Sequence, residues 1–211
     1  MPRSFSCAAI VLRAYDVGEA DRFCILLTRE RGRITARASG VRRLTSRMGG
    51  SLLPLREVQL SLNESRSGIY VSSSAPHPES WSAFTTPKSF AEAHQGVELL
   101  LSFVQHEEPL PEIYDATRRF LAQCADESPD ALLRYTFRLL SLLGVLPDPD
   151  ELALPEDSLP LIAFIEESAA GGSPGALSSA ERSQLDAIVS RLLRQHLTAP
   201  LKSTGVASAM H

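Results

Sequence analysis

The sequence contains few cysteines, and none is placed for zinc or disulfide chemistry. Cys7, Cys24 and Cys124 are the three cysteines among 211 residues, and no two of them form a Cys-x-x-Cys pair. A structural zinc site needs several closely spaced ligands, and a disulfide framework needs paired cysteines. The pattern argues against both and predicts no bound metal. We expect all three side chains to be small buried hydrophobes.

Long apolar runs are also absent. The first apolar stretch, residues 7–12, is too short for a signal sequence and far below the roughly 20 residues that span a bilayer. Hydrophobic residues still make up 44% of the chain, enough for a packed core in each of two modest domains. We therefore expect a cytoplasmic protein that does not contact a membrane.

Recognisable catalytic motifs are missing as well. The chain has no nucleophile elbow, phosphate-binding loop, HExxH motif or closely spaced carboxylate and histidine set. A hydrolase that uses Cys124 or His196 is therefore the weakest functional hypothesis, and no cofactor is predicted. At the end of a helix, a single histidine is more often a partner of the helix dipole than a base.

Acidic residues are scarce in one segment, where arginine is concentrated. The first 70 residues carry 12 basic and 6 acidic side chains, although the whole chain has a net charge of -4. Such asymmetry is typical of a polyanion-binding half joined to an acidic half. Seven arginines lie between residues 29 and 47 against one acid, Glu30: Arg29, Arg31, Arg33, Arg37, Arg42, Arg43 and Arg47.

Arginine rather than lysine supplies all the positive charge before Lys88. A guanidinium group can hold two phosphate oxygens at once, and its planar face can stack on a base. A solvated surface that only aids solubility usually mixes both signs of charge. The cluster therefore favours phosphate binding, and nucleic acid is the first partner to consider.

The first half of the chain has the two-residue periodicity of strands. Turn residues separate five short segments, which we predict as strands at residues 5–13, 23–27, 33–39, 53–62 and 69–73. A register change beside Pro54 and Arg56 indicates a bulge. Arg33 and Arg37 fall on the outward face of the third strand, and a glycine-bounded loop over residues 40–50 carries three more arginines. The pattern predicts a closed antiparallel barrel of the OB type.

Barrels of this kind often bind single strands through a cationic groove and aromatic rings on which bases stack. Three rings are available in the barrel sequence. Tyr15 and Tyr70 lie near predicted strand ends and are weak stacking candidates, whereas Phe23 lies in an apolar run and is predicted to belong to the core.

Helical spacing replaces the strand pattern from Ser89 onward. The sequence thus predicts an α+β protein with a barrel at residues 1–78, a helical domain at 79–203 and a loose tail at 204–211. We predict Ser128 and Pro129 as N-cap and first-turn proline of the central third helix, and Gly144 as its stop. Residues 161–165 mark a short fourth helix, and Ser178 with Glu181 forms a capping box before the fifth.

Four arginines of the helical half could form a basic rim. Arg134 and Arg138 are one helical turn apart and share a face, while Arg118 and Arg119 lie on the preceding helix. They could bind an anion. They could equally pair at the surface with Glu112, Asp115 or Asp130 and contribute little.

Several segments, taken in order, resemble the family of the bacterial recombination mediator RecO. In the first half these are residues 9–13 (AIVLR), 16–22 (DVGEADR), 27–33 (LTRERGR) and 42–55. In the second half they are residues 132–134 (LLR), 139–140, 142–144 (LLG), Pro147, 196–197 and 201–203 (LKS). The resemblance covers most of the chain and is weakest at residues 74–128 and 148–180.

The resemblance implies an OB barrel on a helical domain and a protein without catalytic chemistry. Such a protein binds single- and double-stranded DNA, anneals complementary strands and helps RecA displace the single-stranded-DNA-binding protein SSB. It also implies two protein partners, RecR and the acidic C-terminal tail of SSB. Because that tail ends in an apolar residue, it needs a basic rim around a hydrophobic pocket, which assigns Arg118, Arg119, Arg134 and Arg138 to tail binding.

One feature of the family is missing from this sequence. Many family members carry a four-cysteine zinc module after the central helix, whereas the stretch that begins at residues 148–151 (DPDE) has no cysteine. The resemblance therefore leaves the contact with RecR open. An RNA-binding or ribosome-associated barrel is the alternative function, because composition alone does not separate DNA from RNA.

Overall fold

A computed structural model describes residues 3–43, 46, 48–104, 108–152, 154 and 158–196 of the chain. Within these ranges five strands precede five helices. The strands are β1 (Arg3–Val17), β2 (Asp21–Thr28), β3 (Gly32–Ala38), β4 (Glu57–Ser65) and β5 (Gly68–Pro76). The helices are α1 (Pro87–Phe103), α2 (Pro111–Ala125), α3 (Ala131–Leu142), α4 (Leu159–Ala170) and α5 (Ser179–His196), with a 3₁₀ turn at Pro149–Glu151 before α4.

The strands close into a barrel in the order β1-β2-β3-β5-β4. Only the β3–β5 pairing is parallel, and the other pairs are antiparallel. Closure depends on β1, whose 15 residues pair with β4 through the first part of the strand and with β2 through the second. A bulge between Val11 and Arg13 lies where the partner changes, and bulges bend strands. This topology confirms the predicted α+β class with an OB-type barrel.

Alternation along the strands fills the barrel with apolar side chains. In β3 Ile34, Ala36 and Ala38 are buried, while Arg33 and Arg37 lie on the outer face, as predicted. Cys7 and Cys24 belong to the same core, so they are the buried hydrophobes that the sequence predicted. Burial raises the pKa of each of these thiols to about 11, so both stay protonated at neutral pH.

The fourth strand begins later than predicted. The sequence pattern placed it at residues 53–62, but β4 starts at Glu57. Leu55 has a left-handed backbone with φ of 63°, which no strand residue adopts. The Leu55 amide donates to the Val11 carbonyl, and the Val11 amide donates to the Arg56 carbonyl, so this segment hydrogen-bonds to β1 just before β4 begins. The predicted bulge beside Pro54 was therefore wrong, and the register shift of β4 lies between Ser61 and Leu62.

The chain forms two compact units. Unit 1 contains residues 1–82 and 104–118, and unit 2 contains residues 83–103 and 119–211. Unit 1 thus extends beyond the predicted barrel domain of residues 1–78, because residues 104–118 contact the barrel. Tyr114 donates a hydrogen bond to the Glu57 carboxylate at 3.0 Å, and Arg33 donates to the Val104 carbonyl at 2.5 Å. The predicted tail at 204–211 lies outside the described residues.

Helix α3 is the centre of unit 2. Its buried side chains surround the helix, as the apolar sequence predicted, and Tyr135 stacks on Phe120 of α2 with ring centroids 4.2 Å apart. Gly144 follows the helix with φ of 67°, which confirms it as the stop. None of the helices in the described ranges combines enough length with enough apolar character to span a bilayer.

The helix ends match the sequence in one case and not in another. Ser178 and Glu181 form the predicted capping box, since the Ser178 amide donates to the Glu181 carboxylate at 2.8 Å and the Glu181 amide donates to the Ser178 hydroxyl at 3.3 Å. The predicted cap at Ser128 is wrong. Asp130 occupies the N-cap of α3 in a left-handed conformation and makes no side-chain cap bond; its carboxylate pairs with Arg182 at 2.5 Å instead. Helix α4 is also longer than the predicted 161–165.

Gly96 of α1 provides a stability test of the packing in unit 2. A Cβ atom at this position would lie 2.2 Å from the Phe120 ring, which is itself held against Tyr135. We expect Gly96→Ala to lower the free energy of unfolding by about 1–3 kcal/mol, because overpacking forces the ring from its position. Urea denaturation of the variant and of the unmodified protein measures this difference in the free energy of unfolding. Gly175→Ala is the matched control, since its Cβ would meet open space; equal losses from both variants would contradict the packing.

Candidate nucleic-acid interface

The β2–β3 hairpin separates the predicted DNA-binding arginines into two groups. Arg29, Arg31 and Arg33 lie at the turn between the strands, whereas Arg37 lies near the open end of the hairpin. Six residues of extended chain separate Arg31 from Arg37, or about 20 Å at the rise of a strand. Arg42 and Arg43 follow the open end, and Arg47 lies outside the described residues.

The arginines at the hairpin turn are held by other parts of unit 1. Arg29 pairs with Asp115 at 3.0 Å, and this carboxylate raises the pKa of the guanidinium. Arg31 pairs with Glu64 at 3.0 Å and lies over the Phe5 ring at 4.9 Å. Together with the bond from Arg33 to the Val104 carbonyl, these contacts give the group a structural role.

Five arginines lie at the open end, which we call the basic edge: Arg13, Arg22, Arg37, Arg42 and Arg43. Two carboxylates, Asp16 and Asp21, hold three of them, Arg22, Arg37 and Arg42. Asp21 accepts the Gly40 amide at 2.8 Å and pairs with Arg37 at 2.5 Å. These bonds lower the pKa of Asp21, the backbone amide contributing most. Asp16 pairs with Arg22 at 2.8 Å and with Arg42 at 3.3 Å, and the hydrogen bond from Arg22 chiefly lowers the pKa of this carboxyl.

The basic edge keeps an excess of positive charge. Its five arginines are accompanied by Asp16, Glu19 and Asp21, which leaves a net charge of +2 among these eight side chains. Arg43 is exposed and forms no side-chain hydrogen bond or ion pair with any residue in the described ranges. Its chain lies beside Gly40, at the start of the loop that was predicted to approach phosphates.

Aromatic residues adjoin the basic edge on the outer barrel face. Tyr15 is 48% exposed, and Phe23 and Tyr70 are half-buried. The prediction that Phe23 belongs to the core is wrong, because the neighbouring Cys24 takes the inward position. Phe23 lies instead beneath the Arg37 guanidinium, 5.9 Å from ring centroid to Cζ. The sequence did not indicate the outer position of Phe23, because consecutive residues at the end of β2 are all buried and the apolar run therefore shows no alternation.

In unit 1, Arg118 has a structural partner. Its guanidinium binds the Glu57 carboxylate at 2.8 and 3.1 Å and the Glu79 carbonyl at 2.7 Å. The side chain of Glu57 is only 1% exposed, so this arginine neutralises a buried charge. Glu57 was not among the partners that the sequence suggested for Arg118.

The other three arginines of the predicted rim belong to unit 2. Arg119 and Arg138 donate to the Gly171 and Ala169 carbonyls, each at 2.5 Å, and so meet at the C-terminal end of α4. Arg134 donates to the Pro129 carbonyl at 2.6 Å, and its buried Nε has no hydrogen-bond partner among the described residues. Carbonyls at a helix C-terminus carry partial negative charge, which explains why two cations gather there.

The two residues of the enzyme hypothesis, Cys124 and His196, differ in exposure. Cys124 is 1% exposed, and burial raises its thiol pKa well above the ordinary value, which disfavours the nucleophilic thiolate. His196 is exposed at the last residue of α5. Within the described ranges, no cluster of three or more His, Cys, Asp or Glu residues could hold a metal ion.

A closed five-stranded barrel of the OB type followed by a helical unit defines the class of OB-fold proteins. Comparison with known proteins identifies the family. The family model described as Recombination protein O N terminal matches residues 1–76, and the one described as Recombination protein O C terminal matches residues 87–205. The chain belongs to the RecO family.

Curated relatives support the same assignment. DNA repair protein RecO of Myxococcus xanthus is 30% identical over 149 residues, which cover 69% of this chain and 61% of the relative. DNA repair protein RecO of Cutibacterium acnes is 34% identical over 154 residues, covering 66% and 61%. The Nocardioides protein of that name is 59% identical over 58 residues, or 28% of this chain and 24% of the relative. The chain thus spans less than two thirds of these relatives.

Proposed function

We propose that this protein binds DNA through the basic edge and acts as a recombination mediator in DNA repair. The single observation that carries the proposal is the concentration of Arg13, Arg22, Arg37, Arg42 and Arg43 at one end of an OB-type barrel. Arg47 adds to the same loop in sequence. Arg29, Arg31 and Arg33 are assigned a smaller part in DNA binding, because their guanidinium groups are held within unit 1.

Ion pairs at the basic edge hold the arginine side chains in place, and the edge still keeps a net positive charge. Asp16 and Asp21 fix the positions of Arg22, Arg37 and Arg42, which limits the side-chain entropy lost on binding. A phosphate that approaches the edge can use the remaining N–H donors of each guanidinium. Phosphate contacts carry no base information, so sequence preference is slight.

Annealing follows from neutralisation of two strands at once. Arginines that contact phosphates of both strands lower the repulsion between them, so complementary bases can meet without any covalent step. In this proposal the protein also helps to load RecA on SSB-coated DNA. RecR is a partner as well, and the work takes place in the cytoplasm, on the nucleoid.

A strand-annealing assay on SSB-coated complementary oligonucleotides tests this function. We expect the unmodified protein to accelerate duplex formation. Matched RNA and DNA oligonucleotides of one sequence distinguish the alternative ligand: tighter binding of RNA, with no acceleration of DNA annealing, would contradict the proposal.

Unit 2 is the proposed docking site for the SSB tail. An acidic peptide ending in an apolar residue needs cations that can exchange their partners. Arg119 and Arg138 use neutral carbonyls of the α4 end as acceptors, so a carboxylate can compete for their donors with a charge-assisted bond. Arg134 brings a buried Nε without a described partner. Arg118 is left out of the proposed site because Glu57 holds it.

We expect the Arg119→Glu/Arg138→Glu variant to lose binding of an SSB-tail peptide in fluorescence anisotropy, because both attractive charges are reversed. DNA affinity is expected to stay within about twofold, since neither residue belongs to unit 1. Arg194→Glu, an exposed change on α5, is the charge control. Unchanged peptide affinity in the double variant would refute the docking site.

A further inference from the structure

The strand register places three aromatic rings and one guanidinium in a single row. Tyr15 of β1 is opposite Phe23 of β2, Phe23 is opposite Arg37 of β3, and Arg37 is beside Tyr70 of β5. Neighbouring strands are about 4.8 Å apart, so the row extends roughly 14 Å across four strands. We call these four side chains the aromatic row.

The row faces away from the barrel core. The strand neighbours of these residues belong to the barrel core or pack against it: Ala14 on β1, Cys24 on β2, and Ile69 and Val71 on β5. Alternation therefore directs the row to the outer surface. Tyr15, at 48% exposure, is among the most exposed large hydrophobic side chains of the described protein.

Sheet stabilisation does not account for these rings. Cross-strand aromatic pairs stabilise a sheet when their rings contact each other. Phe23 instead lies near the Arg37 guanidinium, and none of the ring pairs formed within the described ranges includes Tyr15 or Tyr70. The hydrogen bonds of Tyr15 and Tyr70 are at their hydroxyl groups: the Tyr15 hydroxyl accepts from Arg13 at 3.4 Å, and the Tyr70 hydroxyl donates to Ser67 at 3.1 Å.

We propose that the aromatic row is a stacking site for the unpaired bases of single-stranded DNA. The inference rests on the DNA-binding function proposed above and adds the residues that distinguish one strand from two. Bases stack on Tyr15 and Tyr70, and the flat face of Arg37 between them provides a further stacking surface above Phe23. Phosphates of the same strand reach the basic edge through Arg13 and Arg42.

The aromatic row gives the barrel a preference for single strands over duplex, which phosphate contacts cannot give. Paired bases in a duplex are already stacked on one another and do not reach the rings, whereas a single strand can turn its bases toward them. Arginines of the basic edge contact phosphates of either form. Loss of a ring therefore weakens single-strand binding and leaves duplex binding unchanged.

The full chain with Tyr15→Leu/Tyr70→Leu tests the row against its matched control, Tyr15→Phe/Tyr70→Phe, which keeps both rings. Fluorescence anisotropy measures the affinity of each for an oligo-dT strand and for a hairpin duplex. We expect the leucine variant to lose about a hundredfold in single-strand affinity, roughly tenfold for each ring, and less than twofold for the duplex. The phenylalanine variant is expected to stay within about twofold for both ligands.

Unchanged single-strand affinity of the leucine variant would overturn the inference while leaving the proposed function intact. An equal loss for strand and duplex would also overturn it, because stacking would then not be the cause. If the unmodified protein bound neither ligand, the proposed function itself would fail. Circular dichroism of the leucine variant confirms that the barrel is folded in each comparison.

Discussion

Replacing Arg42 and Arg43 with glutamate is expected to weaken DNA binding about ten- to a hundredfold at moderate salt, for single strand and duplex alike. Both side chains lie at the basic edge, and Arg43 forms no side-chain hydrogen bond or ion pair in the described part of the chain. Each lost phosphate contact lowers the magnitude of the salt slope by about 1, and charge reversal adds repulsion. Fluorescence anisotropy over a salt series measures both quantities.

Arg66→Glu provides the matched control for this change. Arg66 is an exposed arginine between β4 and β5, outside the predicted cluster and the basic edge. We expect its substitution to change affinity by less than about threefold, because distant surface charges are screened beyond a Debye length. An equal loss from the control and from the Arg42/Arg43 variant would show that net charge, rather than the basic edge, determines binding.

The second large effect is expected at the buried ion pair between Glu57 and Arg118. We predict that Arg118→Met lowers the free energy of unfolding by roughly 3 kcal/mol, because it leaves a buried carboxylate without its cation. The side chain of Glu57 is 1% exposed, and its other contacts among the described residues are the neutral hydrogen bond from Tyr114 and the nearby His77, 3.8 Å away. Urea denaturation of the full chain measures the loss.

A double variant separates the buried charge from lost packing. With Glu57→Gln added to Arg118→Met, the charge is gone and an amide oxygen can still accept from Tyr114, so we expect part of the stability to return. No recovery in the double variant, or a single variant as stable as the unmodified protein, would contradict a structural role.

The barrel was largely predictable because its strands obey a simple period. In β3 alternating Ile34, Ala36 and Ala38 gave both the strand and its inward face. The start of β4 was not predictable from the same rule. Leu52 and Leu55 are buried like strand residues, yet both precede β4. The Leu55 amide donates to the Val11 carbonyl of β1, and a local pattern carries no information on that long-range partner.

The site was harder to predict than the fold. Composition located the arginines but could not show that Arg29 and Arg31 are paired with Asp115 and Glu64, which lie far along the chain. Phe23 was wrongly predicted to be in the core, because an apolar run does not indicate which of its side chains point into the barrel. Register supplies that information, since pairing with Arg37 and Tyr15 fixes the outer face.

The most direct test of the central claim is the salt dependence of duplex affinity for the unmodified protein. If about four arginines of the basic edge contact phosphates, the logarithm of the association constant falls with the logarithm of salt concentration at a slope of roughly -3 to -4. A slope near zero would contradict the account, because binding would then not depend on phosphate contacts.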